Sequence, residues 1–436
     1  MRYKAYKTVD LPWLKEVPEH WDVRNVNSLF DERREKVSDK EYPPLSVTKN
    51  GILPQLENVA KSMATDNRKK VLKGDFVINS RSDRKGSSGL SSYDGSVSLI
   101  STVITPRIGY GIYWHYLLKS NDFIEEYYRN GKGIVADLWS TNFQSMKSIL
   151  LPVPPKEEQE QIANFLDWKI SEIDRLIEKR KDKLLELDKT KQLVLDDCYN
   201  NLDGEKSKLK YFGKFIKSGK LSRSDETDFS NYKALLYGDI YTKYNFTFDK
   251  CITMISEQAY FNNPKISGDT LFFTTSGESR EEIGKCVLYS GEEEIAIGGD
   301  LIVFKPNKNI NAQYLMYSLN TSQSINYRYI QARGEIIIHI SESKIANSEI
   351  KLPTLQKQRI FAQKVTECIK SINSIKSKII LQIQQLELLK QSLIADAVTG
   401  KMDVRKMLIP EVEGLDKNAI QEEVEVGEDG HSHRKG

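Results

Sequence analysis

The chain contains itself twice. Shifting the 436-residue sequence by 199 positions lays the stretch from Leu151, LPVPPKEEQEQIANFLDWKISEIDRL, over the stretch from Leu352, LPTLQKQRIFAQKVTECIKSINSI. Pro154 falls on Pro353, Gln159 on Gln358, Ala163 on Ala362, Ile170 on Ile369, Ile173 on Ile372 and Leu187 on Leu386. Lys191-Gln192 falls on Lys390-Gln391. Such a gapless correspondence means that the fold is built from two copies of one unit. The regions in front of the two stretches correspond more loosely. YPPLSV (from Tyr42) resembles YKALLY (from Tyr232), GDFVIN (from Gly74) resembles GDTLFF (from Gly268), and Gly131-Lys132-Gly133 parallels Ala332-Arg333-Gly334.

Both repeated stretches read as long helices. The apolar steps of four and three run through Leu166, Ile170, Ile173, Ile177, Leu184, Leu187 and Val194. The same register in the second runs through Val365, Ile369, Ile372, Ile379, Ile383, Leu386 and Leu393. This is a heptad seam. Arg180, Lys191, Lys376 and Lys390 interrupt it, where a charged end must reach solvent or a partner. Residues 156–197 carry a net charge of −3 and residues 356–396 carry +4, so the simplest way to bury both seams is to pack the helices together. An antiparallel pair, about 42 Å long over its 28-residue seam, places the preceding lobes at opposite ends. That is somewhat more than the roughly 34 Å of one turn of B-DNA.

The lobes alternate short β-branched and aromatic runs with Gly, Asn, Asp and Ser turns, and hold short helical segments such as NAQYLMYSLN. The expected fold class is therefore α+β: two tandem lobes of mixed α/β character separated by a two-helix antiparallel coiled coil, with a pseudo-two-fold internal repeat. The expected boundaries are a first lobe over 1–150, a spacer helix over 151–200, a second lobe over 201–351, a second spacer helix over 352–400 and an acidic tail over 401–436.

Composition excludes several classes. Apolar residues at 39% and charged residues at 29% describe a globular chain, and no run approaches the length of a membrane span. With no secretory leader recognisable at the start and four scattered cysteines, the expectation is a cytoplasmic protein with reduced thiols and no membrane partner. No phosphate-binding loop, methyltransferase Asn/Asp-Pro-Pro-aromatic motif or nucleophile-base-acid set is visible, so no catalytic residue and no bound metal are expected. Glu342-x-Lys344 and Glu349-x-Lys351 match only the end of a nuclease motif. His20, His115 and His339 stand alone, and His431 and His433 lie in the acidic tail.

The ordered set WLKEVPEHW (Trp13–Trp21), PPKEEQEQI, YGDIYT (Tyr237–Thr242), GDTLFFTTSGESREEIGK (Gly268–Lys285), LPTLQKQRI and LIADAVTGK resembles the specificity (S) subunits of type I restriction-modification systems over nearly the whole chain. The resemblance implies two target-recognition domains, each reading half of a split asymmetric site in double-stranded DNA. It implies helices that act as a ruler and dock two methyltransferase (M) subunits, with restriction/translocase (R) subunits completing the complex. This subunit would be non-catalytic and hold no cofactor. S-adenosylmethionine, ATP and magnesium would belong to the partners. A coiled-coil scaffold without DNA binding and a stand-alone nuclease are the competing readings.

Charge then suggests where DNA is touched. The first lobe, residues 1–155, carries +5 and the second, residues 198–355, is neutral. Expected contacts in the first lobe are Arg68, Lys69, Lys70, Lys73, Arg81, Arg84, Lys85, Ser87, Ser88, Arg129 and Lys132. In the second they are Ser276, Glu278, Ser279, Arg280, Arg328 and Arg333. Guanidinium groups pair with guanine, Lys and Ser suit phosphates, and a carboxylate accepts from the cytosine amino group.

Overall fold

The computed structural model describes residues 2–55, 66–132 and 139–410. Gly133 and most of the acidic tail, including His431 and His433, lie outside the described residues. Two compact units are present, one formed by residues 1–179 with 381–436 and the other by residues 180–380. This division differs from the boundaries read from sequence. It falls inside both long helices, Lys156–Asn200 and Leu355–Val398, because each lobe packs on one end of each helix.

In the first unit an antiparallel sheet has the strand order Ser88–Leu90, Phe76–Asn79, Ser101–Pro106, Phe30–Glu32. A smaller sheet pairs Gly95–Val97, Arg68–Val71 and Lys36–Val37. The central Phe76–Asn79 strand follows Gly74, whose φ of 89° turns the chain into it. Helices Gly111–Lys119 and Asn121–Arg129 follow, the second started by the Ser120 hydroxyl accepting from the Phe123 N–H. Trp21, Phe30, Phe76, Tyr113 and Trp114 form the core together with Leu166 and Ile170 of one helix and Ala397 and Val398 of the other.

The second unit repeats this plan. Its main sheet runs Gly213–Ile216, Leu301–Pro306, Thr270–Thr274, Cys286–Tyr289, Thr247–Phe248, with only the last pair parallel. The central strand again follows a left-handed glycine, Gly268. Helices Ala312–Leu319 and Ser322–Gln331 repeat the helix pair, with Thr321 in the capping place of Ser120. A further sheet of Met254–Ile255, Tyr232–Leu235, Ile295–Ile297 and Lys265–Ile266 extends this lobe. Phe273, Tyr314 and Tyr317 pack on Leu195 and Tyr199 of one helix and on Phe361, Val365 and Ile369 of the other.

Within each unit the two helices run antiparallel. In the first, Asp174 pairs with Lys390 at 2.7 Å while Gln161 donates to the carbonyls of Val404 and Met407. In the second, Asp188 pairs with Lys376 at 2.6 Å while Tyr199 packs on Phe361. All fourteen seam residues are buried or half-buried, Leu184, Val194, Ile383, Leu386 and Leu393 being the half-buried ones. Lys191 lies buried in the seam over the Phe246 ring. Among the described residues no helix is long and apolar enough to cross a membrane.

Candidate nucleic-acid interface

Each lobe presents a turn at the end of its central strand, braced by an antiparallel backbone pairing of residues about fifty to sixty positions later. In the first lobe the strand leaves Asn79 through buried Ser80, whose hydroxyl bonds that of Thr102 at 2.9 Å, into the turn Arg81–Lys85. Lys132 and Ser140 exchange backbone hydrogen bonds of 3.2 and 3.1 Å, and the Ser82 N–H donates to the Trp139 carbonyl at 3.0 Å. Arg81, Arg84 and Lys132 are thereby brought to one exposed place beside Trp139. Asp83 lies 3.4 Å from the Arg81 guanidinium and 3.6 Å from that of Arg84. Lys119 ties down the strand that leaves the turn, its ammonium donating to the carbonyls of Ser88 at 3.1 Å and Lys49 at 2.7 Å. Burial lowers the pKa of that ammonium.

The second lobe reproduces the geometry with different side chains. Arg333 and His339 exchange backbone hydrogen bonds of 2.9 and 2.7 Å, and Ser276–Gly277 pairs with Ile338–His339. The Ser276 hydroxyl lies 3.0 Å from His339 Nδ1. Arg280 donates to the carbonyls of Ala332 at 3.2 Å and Gly334 at 3.0 Å, tying the turn to the hairpin. Tyr237 and Tyr241, both from YGDIYT, donate to the Ser276 carbonyl at 2.8 and 2.9 Å. Ser276, Glu278, Ser279, Arg280 and Arg333 are therefore neighbours, with Glu278 and Arg333 exposed and Arg280 half-buried as a brace.

Four expected contacts are corrected. Arg328 is 2% exposed; its guanidinium caps the carbonyl of Leu319 at 2.5 Å and reaches that of Ile283 at 3.3 Å. Desolvation brings its pKa down to about 10. Arg68 is also buried, donating to the hydroxyl and carbonyl of Ser96. A count of charges along a sequence does not distinguish a solvated arginine from one that satisfies buried carbonyls. Ser87 and Ser88 are buried too. Lys69 donates to the Ser101 carbonyl at 2.8 Å, and Lys70 pairs with Glu35 at 3.0 Å; both lie on the smaller sheet rather than in the turn. Lys73 is exposed, Lys85 pairs with Glu125 at 2.6 Å and Arg129 with Glu126 at 2.8 Å.

Sequence reasoning missed His339, Trp139, Lys119, Tyr237 and Tyr241 as parts of this site. The parallel of Lys132 with Arg333 was its one available signal. Of the nuclease-like triplets, Lys351 donates to the carbonyls of Tyr199, Asn200 and Leu202, ending the first long helix. No group of three metal-ligating side chains is found among the described residues.

A family model described as the type I restriction modification DNA specificity domain matches residues 18–186 and again residues 201–385. The type I restriction enzyme StySPI specificity subunit of Salmonella potsdam is 25% identical over 138 residues, 32% of this chain and 30% of that protein. This chain thus spans less than a third of the length of the curated relative it matches. A chain from a solved structure concerning complex assembly and conformational transition of the type I R-M system shares the fold. Its TM-score is 0.66 at 14% identity, covering 88% of this chain and 99% of that one. The HsdS subunit from Thermoanaerobacter tengcongensis gives a TM-score of 0.48 at 16% identity, covering 88% and 98%.

Proposed function

Because the chain belongs to the type I restriction modification DNA specificity domain family, we propose that it is the DNA-recognition subunit of a type I complex and performs no chemistry itself. Each lobe reads one half of a split asymmetric site in double-stranded DNA. The observation that carries this reading is the turn, one per lobe, that the same pattern of antiparallel backbone pairing frames with different side chains. A shared frame suits a shared ligand, and unlike side chains suit two different half-sites. Arg81, Arg84 and Lys132 suit guanine and phosphate, and Glu278 with Ser276 suits base amino groups.

Two M subunits dock on the long helices, and R subunits join in the full complex. Pairing of the helices leaves apolar side chains in water: Leu176, Leu381, Leu388 and Leu389 in the first unit, and Leu185, Leu193, Ile360, Ile375 and Ile380 in the second. Exposed apolar rows on helices suit further helices of a partner. S-adenosylmethionine, ATP and magnesium act in the partners, which methylate and cleave. Base methylation requires the adenine to be flipped from the duplex, so the lobes must hold DNA while leaving it accessible.

The test is to assemble the chain with M subunits and select duplexes from a randomised pool, alongside mapping of methylated adenines. Two short defined blocks separated by a spacer of fixed length are expected. A single block, the absence of any selected sequence, or metal-dependent cleavage by this chain alone would overturn the reading.

A further inference from the structure

The hairpin of the second lobe carries an apolar tip that the core does not use. Between Arg333 and His339, Ile336 is 88% exposed and Ile337 56% exposed, whereas the next residue, Ile338, is 4% exposed and belongs to the core. The tip is held firmly. Arg280 grips the carbonyls on both sides of Arg333, and strand pairing anchors Ile338–His339. Gly334 adopts φ 110°, and a Cβ there would lie 2.0 Å from the Ile337 carbonyl oxygen, so the loop closes only around glycine. Two β-branched side chains are thus displayed in a fixed place beside Ser276, His339, Arg333 and Glu278.

This mixture is unsuited to the DNA backbone. Glu335, exposed between Gly334 and Ile336, repels phosphates, and isoleucine offers them no hydrogen bond. Base edges are different, because the major groove displays amino donors that a carboxylate accepts from and, at thymine, a 5-methyl group that is apolar. The residues that follow Lys132 at the corresponding place of the first lobe lie outside the described residues. We infer that Ile336 and Ile337 enter the major groove and read thymine 5-methyl groups within the half-site taken by the second lobe. The inference rests on the DNA-recognition reading above and deepens it by naming the base feature read.

The experiment uses the full chain assembled with M subunits and the duplex selected by the wild type. Each thymine is replaced in turn by deoxyuridine, which removes only the methyl group. Loss of affinity by about fivefold or more at one or more thymines of a single half-site is expected for the wild type. The variant carrying Ile336→Ser and Ile337→Ser is expected to bind thymine and deoxyuridine duplexes alike and to keep its selectivity in the other half-site. That retained selectivity, with an unchanged melting temperature, shows that the variant is folded. A wild type indifferent to deoxyuridine overturns the inference, as does a variant that keeps the thymine preference or one that loses only assembly with its partners. If the wild type selects no sequence, the DNA-recognition reading itself falls.

Discussion

At the scale of single residues, burial decides what a charge does. Arg328 and Arg81 look alike in sequence, yet Arg328 caps buried carbonyls while Arg81 stands exposed in the turn. His115 shows the same effect on an imidazole. It lies against the Phe76 and Tyr116 rings, and its Nδ1 accepts from the Leu90 N–H at 3.3 Å, so the neutral form is the one that fits. Desolvation, with the nearby Lys119 ammonium adding to it, pushes its pKa down to about 4. An unfolded imidazole titrates near 6.5. The unfolded state therefore binds the proton first as pH falls. The stability that this histidine contributes is fully present above pH 6.5 and is lost as pH falls through about 4. Denaturant unfolding at pH 7 and pH 5 measures it: the wild type is expected to lose about 1 to 2 kcal/mol more than His115→Gln between the two. Equal losses would show that His115 is not held neutral. None of this was legible in a lone histidine, because proximity to Phe76 and Leu90 arises only when strand and helix pack.

Among the elements, the long helices were the most legible. Their seam follows from a repeat of 3.5 residues, and any chain with that pattern must bury it. The opposite net charges also find each other, as Lys376 with Asp188 and Lys390 with Asp174. These ion pairs are partly exposed, with side-chain exposures of 23% and 52% for the first and 32% and 49% for the second, so each contributes at most about 1 kcal/mol. The seam contributes more. Ile173→Ala in the first unit and Ile372→Ala in the second, at equivalent places 6% and 8% exposed, are each expected to cost about 2 to 4 kcal/mol in denaturant unfolding. Lys376→Met or Lys390→Met should cost less than about 1 kcal/mol. A larger loss for the lysine variants would mean that charge, not burial, holds the helices. The pairings that frame the turns were less legible. In the second lobe the strands are two residues long and lie about sixty residues apart, so no local periodicity marks them.

For the molecule as a whole, near-neutrality is a sum over unlike parts, +5 on the first lobe and zero on the second. Salt dependence should reveal the asymmetry. Replacing Arg84 and Lys132 by alanine is expected to reduce the slope of log affinity against log salt by about 2, whereas Glu278→Gln should alter the selected bases and leave the slope unchanged. Equal slopes for all variants would remove the first-lobe turn from the phosphate contacts. The duplication, the helical seams and the order of lobe and helix were determined by the sequence alone, because periodicity and repetition are local properties that any folded form must satisfy. How the first lobe is completed was decided only by tertiary structure. The second lobe rests on Leu195 and Tyr199 of the first long helix. In the first lobe residues 397–409 supply the corresponding support. Tyr113 donates to the Val398 carbonyl at 3.3 Å, Gln161 to those of Val404 and Met407, and Arg405 lies over the ring of Tyr3, whose hydroxyl donates to Glu158. Residues nearly four hundred positions apart meet because an apolar lobe face has to be covered, and residues 397–409 carry the matching surface.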